Sequence, residues 1–205
     1  MSRKRAIRDF YAPRILPGRP SHEVLDWADS AGQLTRFRIL AENVDLTGRS
    51  LLDVGCGLGD LLEYLDRAGI AADYTGVDIV PEMVEAARRR HPAGEFIVGD
   101  IFSENPFLGR RFDVAFCSGL FNLNVGNNRG FLAAALPAMF ALATGHVVFN
   151  LLHAWTPDKH PHCVYFDPAE VVPMVETMSD RVRIVDDYLP NDFTVVCTLP
   201  APGGK

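Results

Sequence analysis

The run Leu51-Leu52-Asp53-Val54-Gly55-Cys56-Gly57-Leu58-Gly59-Asp60 constrains the fold of this chain more than any other segment. A short apolar stretch stops at glycines on alternate positions, and a helical pattern follows. That is how a buried strand enters a tight turn and then a helix, with main chain exposed to a ligand where no Cβ stands in the way. A dinucleotide fingerprint requires G-x-G-x-x-G. Here the spacing is G-x-G-x-G, and Asp60 stands at the place of the last dinucleotide glycine. A carboxylate in the first helical turn repels a pyrophosphate.

From Ser50 onward, short apolar runs alternate with helical segments, the mark of stacked βαβ units and a largely parallel sheet. Strands are expected at Ser50–Val54, Asp73–Asp78, Glu95–Val98, Phe112–Cys117 and His146–Leu151. Helices are expected at Asp60–Ala68, Pro81–Arg90 and about Arg129–Leu142. Pro81 suits a first helical position, and Glu82 with Glu85 opposes Arg88, Arg89 and Arg90 along the helix dipole. A further helix runs from Asp167-Pro168 to about Met178. Arg181–Asp186 and Phe193–Leu199 then suit an antiparallel hairpin on the sheet edge. Upstream, Ser21–Ala31 and Gln33–Val44 read as two helices. The organisation is one structural domain, with a basic arm and helical lid over 1–45 and the ligand-binding domain over 46–205.

Two more strand ends carry acids. Tyr74-Thr75-Gly76-Val77-Asp78 ends in a carboxylate 19 residues beyond Gly59, and an acid there can accept from both hydroxyls of a ribose. Phe96-Ile97-Val98-Gly99-Asp100-Ile101 repeats the pattern. Asp100 can accept from a purine amino group, and Ile79 and Ile101 can wall the base. Taken singly, each is a polar strand end. Taken in order, they offer contacts to an amino acid, a ribose and a purine. Asp60, unfavourable for a pyrophosphate, does not oppose a ligand with a sulfonium and an ammonium.

With these motifs the chain resembles the class I S-adenosylmethionine-dependent methyltransferases. Asp53-Val54-Gly55-Cys56-Gly57-Leu58-Gly59 is similar to the family's first motif, Asp78 to its ribose acid, Gly99-Asp100-Ile101 to its adenine motif, and Phe112–Ser118 to its fourth strand. The resemblance covers about residues 46–152. It implies an α/β, Rossmann-like three-layer sandwich whose seven-stranded sheet is mostly parallel with an antiparallel last strand. The cofactor it implies is S-adenosyl-L-methionine, with S-adenosyl-L-homocysteine as product. Asp53 and Gly55 would lie near the methionine part, Gly57 and Gly59 would shape the turn, Asp78 would hold the ribose, and Asp100 with Ile101 the adenine; Cys56 and Ile79 complete the expected cofactor-binding set. Ser118 and Gly119 follow the fourth strand, where family members place backbone near the methyl donor. Ser118-Gly119-Leu120-Phe121-Asn122 departs from the Asn/Asp-Pro-Pro-Tyr/Phe of subgroups that methylate exocyclic amines.

Methyl transfer from a sulfonium is an in-line displacement by an already activated donor, so a general base is needed only when the acceptor arrives protonated. The long loop after the fifth strand offers His153 as the first candidate base, with Tyr165 and Asp167 behind it. Arg36 suits a bidentate bond to the methionine carboxylate, and Tyr11, His22, Trp27 and Gln33 are further contacts a lid could supply. His160, His162 and Cys163 match no zinc spacing, so no metal is expected. The net charge of −6 argues against a nucleic-acid partner. Six basic residues (Arg3, Lys4, Arg5, Arg8, Arg14 and Arg19) crowd the first twenty positions. They read as a solvated tail on an acidic body, or, in the rival reading, as an arm for RNA or protein substrates. Cys56, Cys117, Cys163 and Cys197 are too scattered for a redox pair. Phe131–Ala143 is too short to span a bilayer. The expectation is a soluble, cytoplasmic enzyme that methylates a small molecule without a membrane partner. The rivals are the RNA or protein methyltransferase, a cofactor-binding module without catalysis, and an NAD-type oxidoreductase.

Overall fold

A computed structural model describes residues 2–200; Met1 and 201–205, the outer ends of the two expected segments, lie outside them. Seven strands form one sheet: β1 (Ser50–Val54), β2 (Asp73–Asp78), β3 (Glu95–Val98), β4 (Phe112–Cys117), β5 (Ala143–Leu152), β6 (Arg181–Val185) and β7 (Asp192–Thr198), in the order β3-β2-β1-β4-β5-β7-β6. Seven α-helices accompany them: α1 (Arg3–Tyr11), α2 (Ser21–Val24), α3 (Ser30–Asn43), α4 (Asp60–Ala68), α5 (Pro81–Arg90), α6 (Asn128–Leu142) and α7 (Pro168–Val175). By compactness the chain divides into two units, Met1–Pro106 and Phe107–Lys205.

In the first unit β1 pairs in parallel with β2, Asp53 opposite Gly76, and β2 in parallel with β3, Asp78 opposite Val98. Leu51 and Leu52 are wholly buried, as the unbroken apolar run requires of a strand covered on both faces. Leu61 and Leu65, one turn apart, give α4 its buried stripe. Gly69 ends α4 in the left-handed conformation, and Pro81 opens α5 at its first turn.

In the second unit β4 and β5 are parallel, while β7 is antiparallel to both β5 and β6. Its core is aromatic, with Phe112, Phe116, Phe121, Phe149, Phe166 and Phe193 each under 2% exposed. Burying one such side chain stabilises by about 1.5–3 kcal/mol. Asp167 caps α7 in a capping box with Glu170.

Two upstream expectations change. Residues 3–11 form a helix where a solvated tail was expected. Ile7, Tyr11, Ala12 and Ile15 pack against a buried cluster containing Leu58, Val80 and Met83. Arg8 pairs with Glu82, and Arg3 with Asp100 at 2.6 Å. The apolar face of α1 has meaning only against those distant residues, so local composition conceals it. The expected helix Ser21–Ala31 stops at Val24, because Asp26 adopts a left-handed φ of 60°.

Candidate active site

In the first unit, Gly55, Gly57 and Gly59 all have positive φ (77°, 53° and 81°). At Gly59 a Cβ would stand 2.8 Å from His91 Cδ2 and 2.9 Å from Phe96 Cζ, so both conformation and space demand glycine. At Gly57 a Cβ would stand 2.9 Å from Leu25 Cδ2, which places the residue after α2 directly on the turn. The amides of Gly55 and Cys56 both donate to the Val77 carbonyl, at 2.8 and 3.1 Å, tying the turn to β2.

Asp78, at the end of β2, accepts from Gly57 N–H at 3.0 Å through one oxygen and from Val80 N–H at 2.8 Å through the other. Each carboxylate oxygen has capacity for a second donor, and the residue is partly exposed. Burial raises its carboxyl pKa, while the bonds from Val80 and Gly57 oppose the rise. Asp53 lies deeper, 5% exposed. Burial pushes its pKa up to about 7; the Tyr74 hydroxyl, donating at 2.8 Å, lowers it, and the charges of Asp78 and Asp60 raise it further. Cys56 is buried, and its thiol is pushed well above its ordinary range by burial first, then by Asp78 and Asp53. It is held protonated and is no nucleophile.

Asp60 accepts from Gln33 Nε2 at 3.0 Å and pairs with Arg90 at 3.0 Å. Asp100 receives Arg3 through one oxygen and Phe102 N–H, at 3.1 Å, through the other. Ile101 is buried and Ile79 partly exposed. Arg36 is 4% exposed, with its guanidinium 4.1 Å above the Trp27 ring. The first unit thus gathers Asp53, Gly55, Cys56, Gly57, Gly59 and Asp78 at one turn, with Asp100 and Ile101 on the next strand end. A turn of bare main chain beside acids suits a ligand with hydroxyl donors and positive charge, and no basic side chain belongs to the turn itself. That donor set fits an adenosyl sulfonium.

In the second unit, Ser118 and Gly119 follow β4, and Gly119 N–H donates to Asn150 Oδ1 at 3.0 Å. His153, 6% exposed, lies against Trp155 and Phe193 with ring centroids at 4.8 and 5.3 Å. Its Nδ1 accepts from Trp155 N–H at 3.2 Å. A backbone amide can only donate, so the proton of the neutral ring sits on Nε2. The Tyr165 hydroxyl accepts from His160 N–H at 2.7 Å, and Asp167 caps α7 through Ala169 N–H at 2.8 Å. All three candidate bases therefore have local bonding duties. Among the described residues no group of three or more His, Cys, Asp or Glu could hold a metal ion, and no helix is long and apolar enough to cross a membrane. Sequence reasoning missed Leu25 on Gly57, Arg3 on Asp100, and Asn150; the first two have no local signal, and Asn150 is concealed within the apolar run of β5.

Residues 51–139 match a family model described as a methyltransferase domain. Over 157 residues the chain is 30% identical to Rv1506c of Mycobacterium tuberculosis, a provisionally named methyltransferase, covering 72% of this chain and 91% of that one. A fatty-acid O-methyltransferase of Mycolicibacterium smegmatis is 41% identical over 88 residues, which is 40% of this chain and 32% of the relative. The chain thus spans most of the first relative and about a third of the second. The fold is similar to that of magnesium protoporphyrin IX methyltransferase from Synechocystis PCC 6803, solved with bound S-adenosylmethionine. The TM-score is 0.66 over 98% of both chains, at 15% identity.

Proposed function

Because the chain belongs to the class I S-adenosylmethionine-dependent methyltransferases, we propose that it carries a methyl group from that cofactor to a small-molecule acceptor. The observation that carries this reading is the Asp78 carboxylate, held by the Gly57 and Val80 amides beside the left-handed glycine turn, with acceptor capacity left for a diol.

When bound, the cofactor supplies a methyl group already activated on a cationic sulfur. The protein's task is then to bind, align and exclude water. Asp78 accepts from the ribose hydroxyls. Ile79 and Ile101 enclose the adenine, and Asp100 accepts its amino group. Asp53, Gly55 and Cys56 border the methionine part, and Arg36, a buried cation stacked on Trp27, pairs with its carboxylate. The segment from α1 to α3 is a lid. Support comes from Leu25 on the Gly57 turn and from Arg3 on Asp100, the carboxylate that the adenine amino group must share or win.

The Nδ1 lone pair of His153 is engaged, so the residue acts as an Nε2–H donor rather than a base. Tyr165 and Asp167 serve as structural bonds. This arrangement favours an acceptor that needs no deprotonation. The small-molecule reading is supported by the fatty-acid O-methyltransferase among the relatives. It is also supported by the arm, whose Arg3, Arg5, Arg8, Arg14 and Arg19 each lie against an acid of the same unit, which weakens the case for an RNA partner.

Calorimetric titration with S-adenosylmethionine and with NAD tests the reading. Saturable binding of the first and none of the second is expected; the reverse would refute it.

A further inference from the structure

Asp60 stands directly after the last glycine of the turn, as the first residue of α4. A carboxylate there suits the helix dipole, and for that it needs no partner. The structure gives it two, one on each oxygen. Oδ1 pairs with Arg90 Nη2 at 3.0 Å, and Oδ2 accepts from Gln33 Nε2 at 3.0 Å. A carboxylate can only accept, so the amide nitrogen of Gln33 is the end that faces it. Arg90, at the end of α5, also donates to Glu63 Oε2 at 3.2 Å and, through Nη1, to Ser21 Oγ at 2.6 Å. A carboxylate beside the glycine turn thereby joins α3 to α5, and the guanidinium it holds reaches the start of α2.

The bond to Gln33 has a consequence one turn further along α3. Gln33 and Arg36 are three residues apart, so they share a face of the helix, and both are buried. Arg36 stacks on Trp27, with its guanidinium 4.1 Å from the ring centroid. The face of α3 that carries this cation is therefore pinned to the residue after Gly59 by a charge-assisted bond.

We propose that Asp60 is a positioning residue: through Gln33 it sets how α3 presents Arg36 to the amino-acid end of the cofactor. The proposal rests on the reading above, in which Arg36 pairs with the methionine carboxylate. A bidentate guanidinium–carboxylate bond is sensitive to small displacements, because both of its N–H···O lines must be met at once. Losing the tether frees that face of α3 from the turn. The contacts to the adenosine part, made from the ends of β2 and β3, stay where they are. A dipole or stability role for Asp60 has no such asymmetry between the two ends of the ligand.

S-adenosylhomocysteine and methylthioadenosine share the adenosine and the sulfur, but only the first has the carboxylate. Each is titrated calorimetrically into the full-length protein. The wild type should bind S-adenosylhomocysteine at least about tenfold more tightly. Gln33→Glu sets two carboxylates against each other. It should cut that preference to about threefold or less, while binding of methylthioadenosine stays within about twofold. In Gln33→Glu combined with Asp60→Asn, donor and acceptor change places. The new amide nitrogen faces the new carboxylate, the amide oxygen stays towards Arg90, and the charge of the trio is unchanged. This double variant should recover the preference. Gln33→Leu removes the donor without adding charge; it should lower the preference too, and it carries the test if Gln33→Glu does not fold. A purely structural role would lower the melting temperature and affect both ligands alike. A wild type without the preference, the same preference in the folded single variants, an equal loss for both ligands, or no recovery in the double variant overturns the proposal. Binding of neither ligand by the wild type overturns the methyltransferase reading itself.

Discussion

Replacing Asp53 by Asn should change how the stability of this protein depends on pH. Asp53 is buried beside the glycine turn, and among the described residues it meets no cation and accepts from the Tyr74 hydroxyl alone. Its carboxyl pKa stands at about 7 in the folded chain against an ordinary 3.8, with burial as the main cause. Between those values the folded state holds a proton that the unfolded state has released. Stability contributed by this group is therefore greatest in acid, declines as pH rises from about 4 towards 7, and is level above that. At about 1.4 kcal/mol per unit, the whole decline is at most about 4 kcal/mol, and the part between pH 5 and pH 8 is about 3 kcal/mol. Asn retains an oxygen for Tyr74 and has no charge to bury. Urea unfolding of both proteins at half-unit steps from pH 5 to 8 measures the difference, in which groups common to both cancel. The advantage of Asp53→Asn should grow as pH rises and stop growing above about 7. A constant difference across that range would refute the assignment of a buried, proton-holding carboxyl.

Three shorter predictions accompany it. Gly59→Ala should cost about 2–3 kcal/mol in chemical denaturation, since φ is +81° and the added methyl meets His91 and Phe96; a loss within experimental error would show that the turn relaxes. Deleting residues 2–15 should speed release of S-adenosylhomocysteine in stopped-flow experiments by about tenfold or more, by removing Arg3 and the apolar contacts of α1; an unaltered rate would remove the lid role. Glu170→Gln breaks the exposed pair with Arg129 and should lower stability by no more than about 1 kcal/mol; a larger loss in thermal unfolding would mean that the Asp167 cap depends on it.

Much of this was legible in the sequence because local chemistry and long-range packing agree there. β1 to β4, α4 and α5 have the bounds their apolar runs, Pro81 and Gly69 predict. The glycine turn and Asp78 are legible for the same reason, since their backbone demands are met by residue types that serve few other purposes. The helix α1 is not legible, because its apolar face is defined by Leu58, Val80 and Met83, at least 43 residues beyond Ile15. The bonding of His153 depends on the path of the chain through Trp155, which no pattern encodes. Asn150 sits inside the apolar run Val147–Leu152, and its significance lies in a bond to Gly119 across the β4–β5 pair.

Methyl transfer by this chain requires that the Asp78 carboxylate and the glycine turn together bind the adenosyl part of the methyl donor. Side-by-side calorimetric titration of S-adenosylmethionine into the wild-type protein and Asp78→Ala, both checked for folding by circular dichroism, tests it most directly. One site per chain is expected in the wild type, with binding weaker by about 1–3 kcal/mol in the variant, the scale of a lost hydrogen bond to a charged group. Equal affinity in the two folded proteins, or no binding by either, would contradict it.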